Sequence, residues 1–181
     1  MLTAITLLTI VVAAAIWIYN RLVADRNQVS NAWSDIDVQL VRRHDLVPQL
    51  VSAVRAYADY EQATMTAVTE LRTRSDAAAA LAEKAALEDS LEAGLHRLIA
   101  VQEAYPVLKA DENFRALQDS LTEVEDHLQY ARRFYNGSVR ILNTRIESFP
   151  HLLLAGPLGF RQAEFFEADD AARRSVAVQL S

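Results

Sequence analysis

The chain contains no cysteine, and only four glycines and four prolines among its 181 residues. Without a thiol, disulfides, thiolate metal sites and a cysteine nucleophile are all excluded. So few turn-forming residues leave long uninterrupted segments. Strings such as DAAAALAEKAALEDSLEAGLHRLIAVQEA fill them with Ala, Leu, Glu and Lys, which form helix most readily. The fold class expected is therefore all-α. Basic charge is also scarce, with 18 Lys and Arg against 24 Asp and Glu and a net charge of -6. Such a surface repels phosphate backbones and offers no basic stripe, so nucleic acid is not an expected partner. Catalytic signatures are missing as well. There is no H-E-x-x-H, no P-loop and no G-x-S-x-G, and the glycines of GPLGF, Gly156 and Gly159, follow no strand and open no helix. The expectation is no catalytic residue, no cofactor and no metal ligand.

What the chain does have begins at its amino terminus. Residues 2–19, LTAITLLTIVVAAAIWIY, carry no charge, and as a helix they span roughly 27 Å, close to the thickness of a hydrocarbon core. Trp17 and Tyr19 stand at the end of the run, where aromatic residues anchor a span at the interface. Ala13, Ala14 and Ala15 imitate a signal-peptide cleavage site. The run is too long for a signal peptide, though, and no Lys or Arg precedes it, so a retained single-pass anchor over residues 1–24 is the better reading. Arg21, Arg26, Arg42 and Arg43 all follow the span, which predicts that the amino terminus lies outside and the remainder in the cytoplasm.

Beyond the anchor, Val29, Trp33, Ile36, Leu40, Val47, Val54, Ala58, Met65, Val68 and Leu71 keep a three-four spacing to about residue 74. Pro48 interrupts this run and predicts a kink near 44–48. A second run extends from Asp76 to about Glu103, with Gly94 allowing close approach of a neighbour. YPVLKADEN separates it from a third, for which Asp111 is the expected N-cap. That third run continues through ARRFYNGSVRILNTRIESFP and stops at Pro150. Short connections require neighbouring helices to be antiparallel. The expected architecture is an elongated up-and-down bundle over residues 25–149, of three long helices, or four if the first is broken near Pro48. Its heptad-like seams permit homo-oligomers. Residues 150–181 read as an apolar extended strap, HLLLAGPLGFRQAEFF, and a flexible tail.

Several polar groups stand out against this frame. Arg42, Arg43, His44 and Asp45 form the densest cluster, and solvation plus capping at the kink explains them more simply than ligand contact. Glu92 with His96, and Glu123 with His127, are i,i+4 pairs expected on solvated faces. Trp33 is expected in the core. Asn136 and Asn143 lie one heptad apart beside the third seam, where amides hydrogen-bond across and fix register. Equal rise from turns near residues 75 and 108 brings Glu61 level with about residue 128. This predicts a partly buried network of Glu61, Glu125 and Arg132 that, with Asn136 and Asn143, is structural rather than catalytic.

Read in order, AWSDIDVQL, the Arg42–Arg43 pair followed by DLVP, EAYPVLKA, and the YN of Tyr135–Asn136 followed by the FP of Phe149–Pro150 resemble the LemA family of bacterial proteins across nearly the whole chain. Tyr60, where the family usually shows His, and Leu142, where it usually shows Tyr, depart from the pattern. The resemblance implies a single anchor in the bacterial inner membrane, an all-α bundle and a protein partner of unknown identity. It names no reaction, and the role expected is a non-catalytic interaction or assembly module, with accessory regulation of a membrane metalloprotease or of membrane or organelle biogenesis as the alternative.

Overall fold

The structure, a computed structural model, describes residues 1–58 and 61–166. Every regular element among them is helical, as the composition requires. The helices are α1 (Leu2–Arg55), α2 (Gln62–Ala77), α3 (Leu81–Ala100), α4 (Pro106–Ala110), α5 (Glu112–Glu147) and α6 (Leu152–Ala155), with a 3-10 turn at Val101–Glu103. The tail expected at residues 167–181 lies outside the described residues. The chain divides into two compact units, one of Met1–Asp37 with Tyr130–Phe165 and one built on Val38–Gln129.

Pro48 does not break the first helix, which continues through it to Arg55. A proline inside a helix removes one N–H and crowds the carbonyl four residues back. Here Val47, Leu50, Val51 and Val54 bury a continuous stripe around it, and packing of that stripe outweighs the local defect. The first helix ends at Arg55 instead and the next begins at Gln62, with no glycine or proline in the sequence between them. The last turn tightens, with Tyr57 N donating to Val54 O at 3.0 Å. Tyr57 Oη then donates to Asp111 Oδ2 at 3.1 Å.

Val38–Gln129 forms a unit whose core joins α1 residues Val47 to Val54 with Met65 and Val68 of α2, Leu91, Leu95 and Leu98 of α3, and Leu108, Phe114 and Leu121. The α2–α3 reversal runs through alanines. Ala78 and Ala80 are extended, at ψ 121° and 134°, so negative φ suffices and no glycine is needed. Close approach of the two helices does need one: a Cβ added at Gly94 would stand 3.0 Å from Val68 Cγ2. Asp111 caps α5 as expected, its Oδ1 accepting from Phe114 N at 2.8 Å, a bond worth about 1 kcal/mol.

The first unit pairs the start of α1 with the second half of α5. Trp33 meets Tyr135 edge-on, with ring centroids 5.7 Å apart. Arg145 pairs with the buried Asp25. The segment expected to be an extended strap contains one helical turn, α6. Gly159 takes the left-handed conformation, φ +77°, which lets Phe160 N reach back to Ala155 O at 2.9 Å. That turn sets Phe160 and Ala155 against Ile18 and Leu22 of α1 in a small core of their own.

Candidate functional site: a buried charge network

Along α1 the buried positions Ile36, Leu40, Val47, Leu50 and Val54 keep a heptad spacing, and the position due between Leu40 and Val47 is Arg43. On α3 the same spacing through Leu91, Leu95 and Leu98 begins at Glu88. Opposite charges therefore occupy seam positions on two helices, and the structure brings them together. Arg43 Nη1 donates to Glu88 Oε2 at 3.0 Å and to the Glu88 carbonyl at 3.3 Å. Its Nη2 reaches Glu92 Oε2 at 3.4 Å and also pairs with Glu125 of α5. Both Arg43 and Glu88 are fully buried.

His44, the next residue, extends the network toward α2. Its Nε2 lies 2.7 Å from Glu88 Oε1 and its Nδ1 2.7 Å from Asp76 Oδ1. Ser75 Oγ donates to the same Glu88 Oε1. Two carboxylates on the two ring nitrogens demand two donors, which only the imidazolium supplies. Burial pulls the His44 pKa down, but the hydrogen bonds and charges of Glu88 and Asp76 outweigh it and leave the group above its ordinary range. Burial likewise pushes Glu88 up, while hydrogen bonds from His44 and Ser75 and the charges of His44 and Arg43 carry it below the usual carboxylate range. Chemically the arrangement is closed. Glu88 accepts on both oxygens, so neither is available to abstract a proton from a substrate.

This network corrects the reading of the 42–45 cluster. Arg42 and Asp45 are exposed, as solvation requires, but Arg43 and His44 are among the most buried polar residues of the chain. The heptad count was the available signal: it places an arginine and a glutamate where apolar residues are due. Of the residues expected in a structural polar network, Glu125 joins Arg43. Glu61 is half-buried immediately before α2, and Arg132 and Asn136 are half-buried on α5. Asn143 holds the strap: its Nδ2 donates to Ala163 O and its Oδ1 accepts from Ala163 N, both at 2.9 Å. Glu123 and His127 form the exposed i,i+4 pair expected, at 3.6 Å. Among the described residues, no group of three or more His, Asp or Glu is arranged to hold a metal ion.

The model of the LemA family matches residues 32–180, which contain the whole network. The chain belongs to the LemA family. Among curated proteins it is similar to magnetosome protein MamQ 2 of Paramagnetospirillum magneticum, at 26% identity over 94% of this chain and 73% of the relative. It is also similar to protein LemA of Metamycoplasma hominis, at 24% identity over 87% of this chain and 72% of the relative. The LemA match covers every residue that holds Arg43 and His44, so the network lies within the part of the chain the family defines.

Proposed function

We propose that this LemA-family chain is a single-pass membrane protein whose helical part serves as a non-catalytic interaction or assembly module in the cytoplasm. The observation that carries this reading is the closed network. Glu88 and His44, both shifted from their ordinary pKa values, spend their hydrogen bonds on each other, on Arg43, Ser75 and Asp76, and hold α1, α2 and α3 together. A groove of about 600 Å³ along α2 and α3 is lined by Ala63, Ala67, Val68, Gly94, Asp89 and Arg97 together with Thr64 and Ser90. No histidine stands there to activate either hydroxyl. The anchor rests on α1, whose residues up to Ile16 are almost wholly exposed apolar side chains in a stretch long and apolar enough to cross a membrane.

The similarity to MamQ, a magnetosome protein by name, favours membrane-organelle biogenesis as the setting of this role over the accessory regulation of a membrane metalloprotease. Crosslinking in intact cells followed by mass spectrometry tests the module reading. Recovery of a defined partner supports it, and recovery of the chain alone, with turnover of a small substrate by the purified protein, contradicts it. Orientation has its own test. The chain has no cysteine, so Ser90→Cys gives a single exposed thiol. In intact cells that thiol is expected to resist a membrane-impermeant maleimide, and efficient labelling would place the module on the other side.

A further inference from the structure

In α1, side chains from Leu2 to Trp17 are exposed on nearly every face, and the first buried residue is Ile18. A helix that is apolar all round and uncovered by protein is the part that lipid covers. The level of Ile18 therefore marks where the bilayer ends and protein begins. The residues that cover Ile18 and Leu22 come from the strap: Ala155 and Phe160, flanked by Leu154. Three ring contacts fix the strap at this level. His151 lies 6.0 Å from Trp17, Phe160 meets Tyr19 edge-on at 5.9 Å, and the Arg26 guanidinium sits over Phe160 at 5.2 Å.

Only one side of the strap is used in this way. Phe149, Leu152, Leu153 and Leu158 point away from α1 and are 79%, 55%, 63% and 46% exposed. Four large apolar side chains within ten residues, in a segment tied to the last turn of the bare span, would be a liability in water. At the edge of a bilayer they are continuous with the apolar surface of the span itself. The charges around them agree. Arg21, Arg26, Arg140 and Arg161 are exposed, and Asp25 is buried beside Arg21 and Arg145. Among the described residues of this region the exposed carboxylates are Glu147, which accepts from Gln162, and Glu164, so exposed arginines outnumber them. Arg140 and Arg145 also line an open groove of about 440 Å³ with Ile141, Phe149 and His151, a combination of cation and apolar wall suited to a phosphate headgroup and the start of its acyl chains.

We propose that residues 149–158 are a second membrane-contacting element, an interfacial wedge that lies in the headgroup–acyl boundary beside the span and is drawn to anionic lipid by the flanking arginines. Amphipathic segments of this kind bury their apolar side several ångströms into that boundary, with arginine at the headgroups. The wedge rests on the anchor reading, because its depth is set by where the span ends.

The test uses the full chain, with single cysteines in an otherwise cysteine-free sequence, reconstituted in vesicles of phosphatidylcholine and phosphatidylglycerol in equal parts. Nitroxides at Ile10→Cys, Leu153→Cys and Ser34→Cys report depth through their relative accessibility to oxygen and to a water-soluble nickel chelate. The expected result is a deep label at Ile10, an aqueous label at Ser34, and at Leu153 an oxygen-to-chelate ratio severalfold above that at Ser34. Omitting phosphatidylglycerol should lower the ratio at Leu153 and leave Ile10 unchanged. A deep Ile10 with an aqueous Leu153 overturns the wedge and leaves the anchor standing, while aqueous labels at both positions overturn the anchor as well. Dipolar broadening between copies at Leu153 overturns the lipid assignment and gives the surface to a second copy. Because Leu153 is exposed and clear of the small core at Ile18, its replacement is not expected to disturb folding, and an unchanged melting temperature in detergent checks this.

Discussion

His44 and Glu88 titrate in opposite senses, and that gives the network a measurable signature. A histidine whose pKa is raised by folding adds stability that is complete below its unfolded value of about 6.5 and is withdrawn as the pH climbs through the higher folded value. A glutamate whose pKa is lowered by folding adds stability that is complete above about 4.5 and is lost as the pH falls through the lower folded value. Thermal stability is therefore expected to be greatest between these two values and to decline on the alkaline side. Replacing His44 with Gln should flatten the alkaline decline, because Gln keeps a donor but carries no titrating charge. A wild-type melting temperature that stays flat or rises from pH 6 to pH 9 would contradict a protonated His44 between Asp76 and Glu88. Such a network was only half visible in the sequence. Arg43 and His44 were conspicuous as a cluster, but their partners lie on other helices, and only the heptad position of Glu88 hints at the pairing. Asn143 was legible as a polar residue beside a seam. That it clamps the backbone of Ala163 could not be read from spacing, because the strap has no period.

At the scale of helices, two glycines make opposite predictions from the same substitution. Gly137 lies inside α5 with open space where a Cβ would go. Gly137→Ala should therefore add about 0.5 to 1 kcal/mol by restricting the unfolded chain and improving helix propensity. Gly94 in α3 has the same propensity to gain, but its new methyl would press on Val68, a fully buried β-branched side chain with little rotamer freedom. Gly94→Ala is expected to destabilise by about 1 to 2 kcal/mol, the usual cost of overpacking. Denaturant melts of the two variants should move in opposite directions, and a shared direction would mean that α2 and α3 yield easily at this contact. Helix positions were the most legible part of the fold, because strongly periodic apolar stripes survive any tertiary context. The ends were less so. α1 stays helical through Pro48, so the first helix is not broken there, and it stops at Arg55, where no breaker stands. Around Pro48 the buried stripe from Val47 to Val54 keeps the helix unbroken despite the missing N–H.

For the molecule as a whole, the strap has two roles, one on each of its sides. Removing residues 150–166 would uncover Ile18 and Leu22, and the truncated chain is expected to aggregate in detergent and to melt earlier than the intact one. A truncated chain that is monodisperse and equally stable would make the strap a tail held for a partner. The small core the strap completes also bears on how the chain is made. Ile18 and Leu22 leave the ribosome before Ala155 and Phe160, which follow only after all of α5. Throughout that interval Ile18 and Leu22 lack the covering that Ala155 and Phe160 supply. With α1 as the proposed anchor, insertion would come before closure, and a ribosome stalled between α5 and the strap would leave that small core open to chaperones and proteases.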